Sequence, residues 1–124
     1  FAADPVWKGW SRKRVRAAKR SGRIVINAIV YAEVSTTFAT QRALDQALGP
    51  AGYKREDIPF NAAFNAARAF LSYRRGGGLK RSPLPDFYIG AHAEFQGYSL
   101  LTRDPARYRT YFPTLKIMAP DTHP

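Results

Sequence analysis

Residues 83–108 read PLPDFYIGAHAEFQGYSLLTRDPARY, and this stretch decides the fold. Pro85 suits the first turn of a helix and Gly97 its far end, so PDFYIGAHAEFQG predicts a compact helix. YSLLT, a short apolar run between turn signals, predicts a strand; DPARYRTYF predicts a short helix and LKIMAP a closing strand. A strand–helix–strand passage of this kind belongs to a parallel sheet covered by helices, an α/β fold.

Upstream the alternation continues. RIVIN, rich in β-branched residues, predicts a strand, and the segment from Asn27 to Gly49 predicts one or two helices, with Asn27 as cap and Gly49 as end signal. IPFNAAFNAARAFLSYRRGGG gives the clearest helical period. Phe60, Phe64, Ala67 and Leu71 share a stripe expected to be its apolar face, and Gly76 terminates it. The opening DPVWKGWSRKRVRAAKRSG predicts a helix, with Asp4 as cap, Pro5 in its first turn and Gly22 after its end. Only three strands are visible, so the sheet is thin, and a strand is expected before Phe1.

At 124 residues the chain suffices for a single domain, 1–124, with one core. It has no cysteine and two histidines, which excludes a disulfide framework and argues against a zinc cage. No apolar run is long enough to span a bilayer and no signal peptide is visible, so the expectation is a cytoplasmic protein with no membrane partner. Lysine and arginine number 20 against 9 acids, a formal charge of +11. Such a field attracts polyanions, nucleic acid first among them. RRGGGLKR lacks the pattern of a phosphate-cradling P-loop and reads as a basic loop; His92 reads as a packed histidine, and Trp7 and Trp10 as core or interface anchors.

The scarce acids carry the functional reading. Open parallel sheets gather ligands at the carboxyl ends of their strands. Asp104 directly follows YSLLT, and Asp86 opens a helix whose amides favour its ionised form. Glu33 follows RIVIN with Ile29 and Thr37 one turn to either side, which predicts a carboxylate on or beside the inward face. Three acids meeting at one sheet edge repel unless a cation bridges them, and hard oxygen ligands suit Mg²⁺ or Mn²⁺. Inside a basic rim, such a centre fits phosphodiester hydrolysis. Each acid also has a plainer reading: Asp86 after Pro85 and Asp104 before Pro105 as helix or turn caps, Glu33 as a surface glutamate. Asp4, Asp45, Glu56, Asp57 and Asp121 read as caps and surface, and Glu94 as solvated.

INAIVYAEVS, PLPDFYIGAHAEFQGYSLLTRD and ARYRTYFPTLKIMAP together resemble the blocks of the PIN-domain ribonucleases, within them the VapC-type toxins of bacterial toxin–antitoxin pairs. The resemblance covers nearly the whole chain and is tightest from Asp86 to Pro113. It implies a PIN-like α/β/α fold with a central parallel sheet and a Mg²⁺- or Mn²⁺-dependent endoribonuclease acting on RNA such as transfer RNA. It also implies a cognate antitoxin and a homodimer. The family's second, third and last acids fall on Glu33, Asp86 and Asp104, with Thr102 and Arg103 of the same motif as substrate contacts. Its first strand, which ends in its first catalytic aspartate, would fall before Phe1. The expectation is therefore a truncated or processed chain, or one whose first segment exists elsewhere as a separate fragment, and a chain inactive as it stands although its parent is a nuclease. The competing expectations are a non-catalytic module binding nucleic acid or a partner, and a PIN nuclease acting on DNA.

Overall fold

A computed structural model describes residues 24–48, 53–78, 84–102 and 105–119. The chain divides into two compact units, residues 1–57 and 58–124. The predicted first helix with its two tryptophans, the Gly49 stop and residues 79–83 of the basic loop lie outside the described residues.

In the first unit, strand β1 (Val25–Ile26) is followed by helix α1 (Ala28–Ser35), helix α2 (Gln41–Leu48) and strand β2 (Lys54–Arg55). Asn27 caps α1 as its position predicts, its side-chain oxygen accepting from the Val30 amide at 2.9 Å. The long helical segment breaks in two at TTFAT, where threonine hydroxyls compete for main-chain carbonyls. Thr36 and Thr37 donate to the Glu33 and Val34 carbonyls, each at 2.8 Å, closing α1. Thr40 Oγ1 then accepts from the Ala43 amide at 3.1 Å and opens α2. Ile26, Val34 and Leu44 are the buried apolar residues.

β2 has no counterpart in the sequence reading. It pairs in parallel with β1, Val25 opposite Lys54, with the Lys54 amide donating to the Ile24 carbonyl at 2.8 Å. Its two side chains are charged and exposed, so the ladder is a main-chain affair with no apolar period to betray it.

The second unit runs helix α3 (Phe60–Arg75), helix α4 (Pro85–Gln96), strand β3 (Ser99–Leu101), helix α5 (Ala106–Tyr111) and strand β4 (Lys116–Met118). β3 and β4 pair in parallel with Leu100 opposite Ile117, as the crossover predicts. The described strands thus form two two-stranded parallel pairs, β1–β2 and β3–β4. Gly97 ends α4 at φ 73°, a left-handed turn that a side chain would strain.

α3 corrects the sequence reading. Its buried face is Ala62, Ala66, Ala69 and Phe70, whereas Phe60 is 94% exposed, Phe64 58% and Leu71 42%. Positions 60 and 62 lie about 200° apart around a helix of 3.6 residues per turn, so the large-residue stripe and the alanine stripe face opposite ways. Small side chains let α3 lie close against α4, its main packing partner. α4 is buried at Phe87 and continuously from Ile89 to Ala93. Phe87 stands fully buried amid an aromatic cluster, with ring centroids 6.1 Å from Phe70, 5.6 Å from Tyr73 and 5.4 Å from Tyr111. Gly90 passes the Phe112 ring so closely that a Cβ there would meet it at 2.6 Å. Among the described residues no helix is long and apolar enough to cross a membrane.

Candidate active site

Asp86 occupies the first turn of α4 but does not cap it. The cap position is Leu84, with no side-chain cap bond, so the plain capping role is not what Asp86 does. Its carboxylate instead accepts a hydrogen bond from Arg107 of α5, Nη1 to Oδ2 at 3.0 Å. Both side chains are a little over a third exposed, 38% for the aspartate and 39% for the arginine. Asp86 is therefore an ionisable oxygen donor at a helix N-terminus, open to solvent on one side and held by a cation on the other.

The guanidinium has further partners. Its carbon lies 5.9 Å from the ring centroids of both Tyr73 and Phe87. The fully buried Phe87 ring thus fixes the floor beside which the arginine of α5 lies, with Tyr73 of α3 and Asp86 and Phe87 of α4 as its partners.

Thr102 follows β3, and its amide extends the ladder to the Met118 carbonyl at 3.0 Å. The strand thus ends where the Thr102-Arg103-Asp104 motif begins, as predicted, but Arg103 and Asp104 lie outside the described residues. Glu33 belongs to the other unit. It was expected on or beside the inward face of its helix, and it is exposed. α1 is only eight residues long and buries Val34 alone; of Glu33's one-turn neighbours, Ile29 is half-buried and Thr37 exposed. Among the described residues no three His, Cys, Asp or Glu side chains gather closely enough to hold a metal ion.

Another acid departs from its expected role. Asp45, read as surface, joins three elements: its Oδ1 accepts from the Tyr31 hydroxyl at 2.7 Å and from Arg55 Nη2 at 3.2 Å. The bond to Asp45, chiefly, raises the Tyr31 hydroxyl above its ordinary pKa, because ionisation would place two anions together. Arg55 also reaches the Tyr53 hydroxyl at 3.2 Å and lies 5.0 Å from the Tyr31 ring centroid, so this cluster ties α1, α2 and β2. Glu94, read as solvated, has a carboxylate at the surface that accepts from the Thr114 hydroxyl at 2.8 Å in an exposed hydrogen bond. His92 is buried beside Tyr98, the packed histidine predicted. Arg107 is the residue sequence reasoning passed over. The signal available was a cation three residues beyond Asp104, at the start of a helix.

Neither a family model nor a curated protein matches the sequence. Solved structures do match the fold. A chain of VapBC2 from Rickettsia felis, crystallised with a DNA fragment from its promoter, has a TM-score of 0.66 at 17% identity, covering 87% of this chain and 83% of that one. DNA-bound VapBC from Salmonella typhimurium gives 0.63 at 21% identity, covering 88% and 83%. VapBC-1 from nontypeable Haemophilus influenzae gives 0.66 at 17%, covering 92% and 90%. The chain therefore has the mixed α/β fold, with parallel strands, of the VapBC structures, which is the PIN-like architecture its sequence resembles.

Proposed function

We propose that the chain is a metal-dependent endoribonuclease of toxin type, hydrolysing RNA phosphodiester bonds and neutralised by a cognate antitoxin. The observation that carries this reading is Asp86: a partly exposed carboxylate in the first turn of α4 that sits beyond the cap position and pairs with a cation. The fold supports the reading, since the structures it matches are VapBC proteins. The formal charge of +11 supports a polyanionic substrate.

Asp86 offers a solvent-reachable carboxylate oxygen of the kind that suits Mg²⁺ or Mn²⁺. Asp86 would hold the ion, and Glu33 and Asp104 are the further acids that the family resemblance assigns to it. When bound, it supplies Lewis acidity toward the phosphodiester. The chain's own residues do the rest: the basic field concentrates RNA, and Thr102 and Arg103 position the strand beside the acids. An antitoxin and a second copy of the chain are the proposed protein partners.

The second reading is a non-catalytic nucleic-acid-binding module, favoured by the Asp86–Arg107 pair, which occupies the carboxylate with a cation of the chain's own. Cation dependence separates the two. The intact protein incubated with labelled RNA should cleave it in Mg²⁺ or Mn²⁺, leave 5′-phosphate ends, and stop when a chelator is added. Salt-sensitive RNA binding with no cleavage in either metal would give the field to the second reading, and cleavage of DNA alone would replace the substrate.

A further inference from the structure

Arg107 holds more donors than Asp86 uses. A guanidinium presents five N–H groups in a rigid plane, and the carboxylate engages it through Nη1 alone, at 3.0 Å on Oδ2. A bidentate fork would be the stronger arrangement if neutralising Asp86 were its whole purpose. A half-exposed single-point ion pair also adds little to stability, so folding alone gives weak reason for it. The group also lies beside two aromatic rings, 5.9 Å from the centroids of both Tyr73 and Phe87. Its side chain remains 39% exposed, within reach of a ligand from solvent.

We propose that Arg107 is a phosphate-binding residue of the site, positioned by Asp86 and the two aromatic rings to take a phosphate oxygen of the RNA strand. The proposal rests on the nuclease reading for its substrate. An arginine is the natural choice for this contact, because its planar fork matches phosphate geometry and stays charged at every working pH. Asp86 engages Nη1 alone, so the remaining N–H groups of the guanidinium can take a phosphate oxygen while the pair stays in place.

The test is equilibrium binding of a short fluorescent single-stranded RNA to the intact protein, in chelator so that no turnover occurs, over a range of salt. Each phosphate neutralised on a single strand contributes about 0.7 to the slope of log affinity against log salt. Arg107→Ala should weaken binding about tenfold and flatten that slope by about one such increment. Arg107→Lys should restore the slope while recovering only part of the affinity, since it keeps the charge and loses the fork. The thermal midpoint is measured alongside. An unchanged slope, with or without a fall in midpoint, would make Arg107 a structural counter-ion and overturn the proposal. If Arg107→Ala does not fold, Arg107→Gln, which keeps part of the stem and an amide donor without the charge, answers the same question. Because binding is read without metal, failure here leaves the nuclease reading intact, and absence of metal-dependent cleavage leaves this slope standing.

Discussion

Helices α3 and α4 lie side by side and are both rich in apolar residues, but they build their buried faces differently. α3 turns alanines inward and shows Phe60, Phe64 and Leu71 to solvent. α4 buries Phe87 completely, leaves Phe95 exposed, and threads Gly90 past the Phe112 ring. The difference teaches that apolar size does not choose the buried face; the available gap does. A helix that must approach its neighbour closely spends small residues on most of the contact; in α3 Phe70 is the one large residue buried, and it meets Phe87. Phe64 makes use of its exposure by taking the Arg68 guanidinium 4.7 Å from its ring centroid.

The largest effect expected from this contrast is at Phe87. Phe87→Ala removes the ring on which Phe70, Tyr73 and Tyr111 pack, and should cost about 3–5 kcal/mol in denaturant unfolding. A cost under about 1 kcal/mol would mean that the aromatic cluster does not hold the second unit together. Gly90→Ala comes next. Its methyl would stand against a buried ring, and about 1–3 kcal/mol of overpacking strain is expected. A neutral or stabilising result would show that Phe112 can yield. The smallest effect belongs to α3: Phe60→Ser and Phe64→Ser should each change stability by no more than about 0.5 kcal/mol, as exposed positions do. A loss comparable to that of Phe87→Ala would reverse the assignment of faces.

These same helices show how much the sequence could tell. Element type was legible throughout the second unit, because Pro85, Gly97 and Gly76 mark ends by chain geometry, independently of what packs where. The inward face of α3 was not, since Phe60, Phe64, Ala67 and Leu71 and the alanine stripe have the same helical period. β2 was invisible for the opposite reason: Lys54 and Arg55 join the sheet through main-chain bonds with nothing apolar to show. At the site, Asp86 was legible from its place after Pro85. Arg107 was not, because its partner is 21 residues away and only the crossing of α4 and α5 brings them together. Glu33 was placed inward from its neighbours' hydrophobicity, yet a helix as short as α1 buries one narrow line of residues and leaves the rest outside.

Asp86 is where the account stands or falls. The direct measurement is the initial rate of Mn²⁺-dependent RNA cleavage by the intact protein carrying Asp86→Asn beside the unsubstituted intact protein, at matched fraction folded. An amide keeps the shape and loses the anion, so a fall of at least about 100-fold, about 2.7 kcal/mol in barrier, is expected with RNA binding retained. Cleavage at the parental rate would place the chemistry elsewhere and reduce Asp86 to the partner of Arg107.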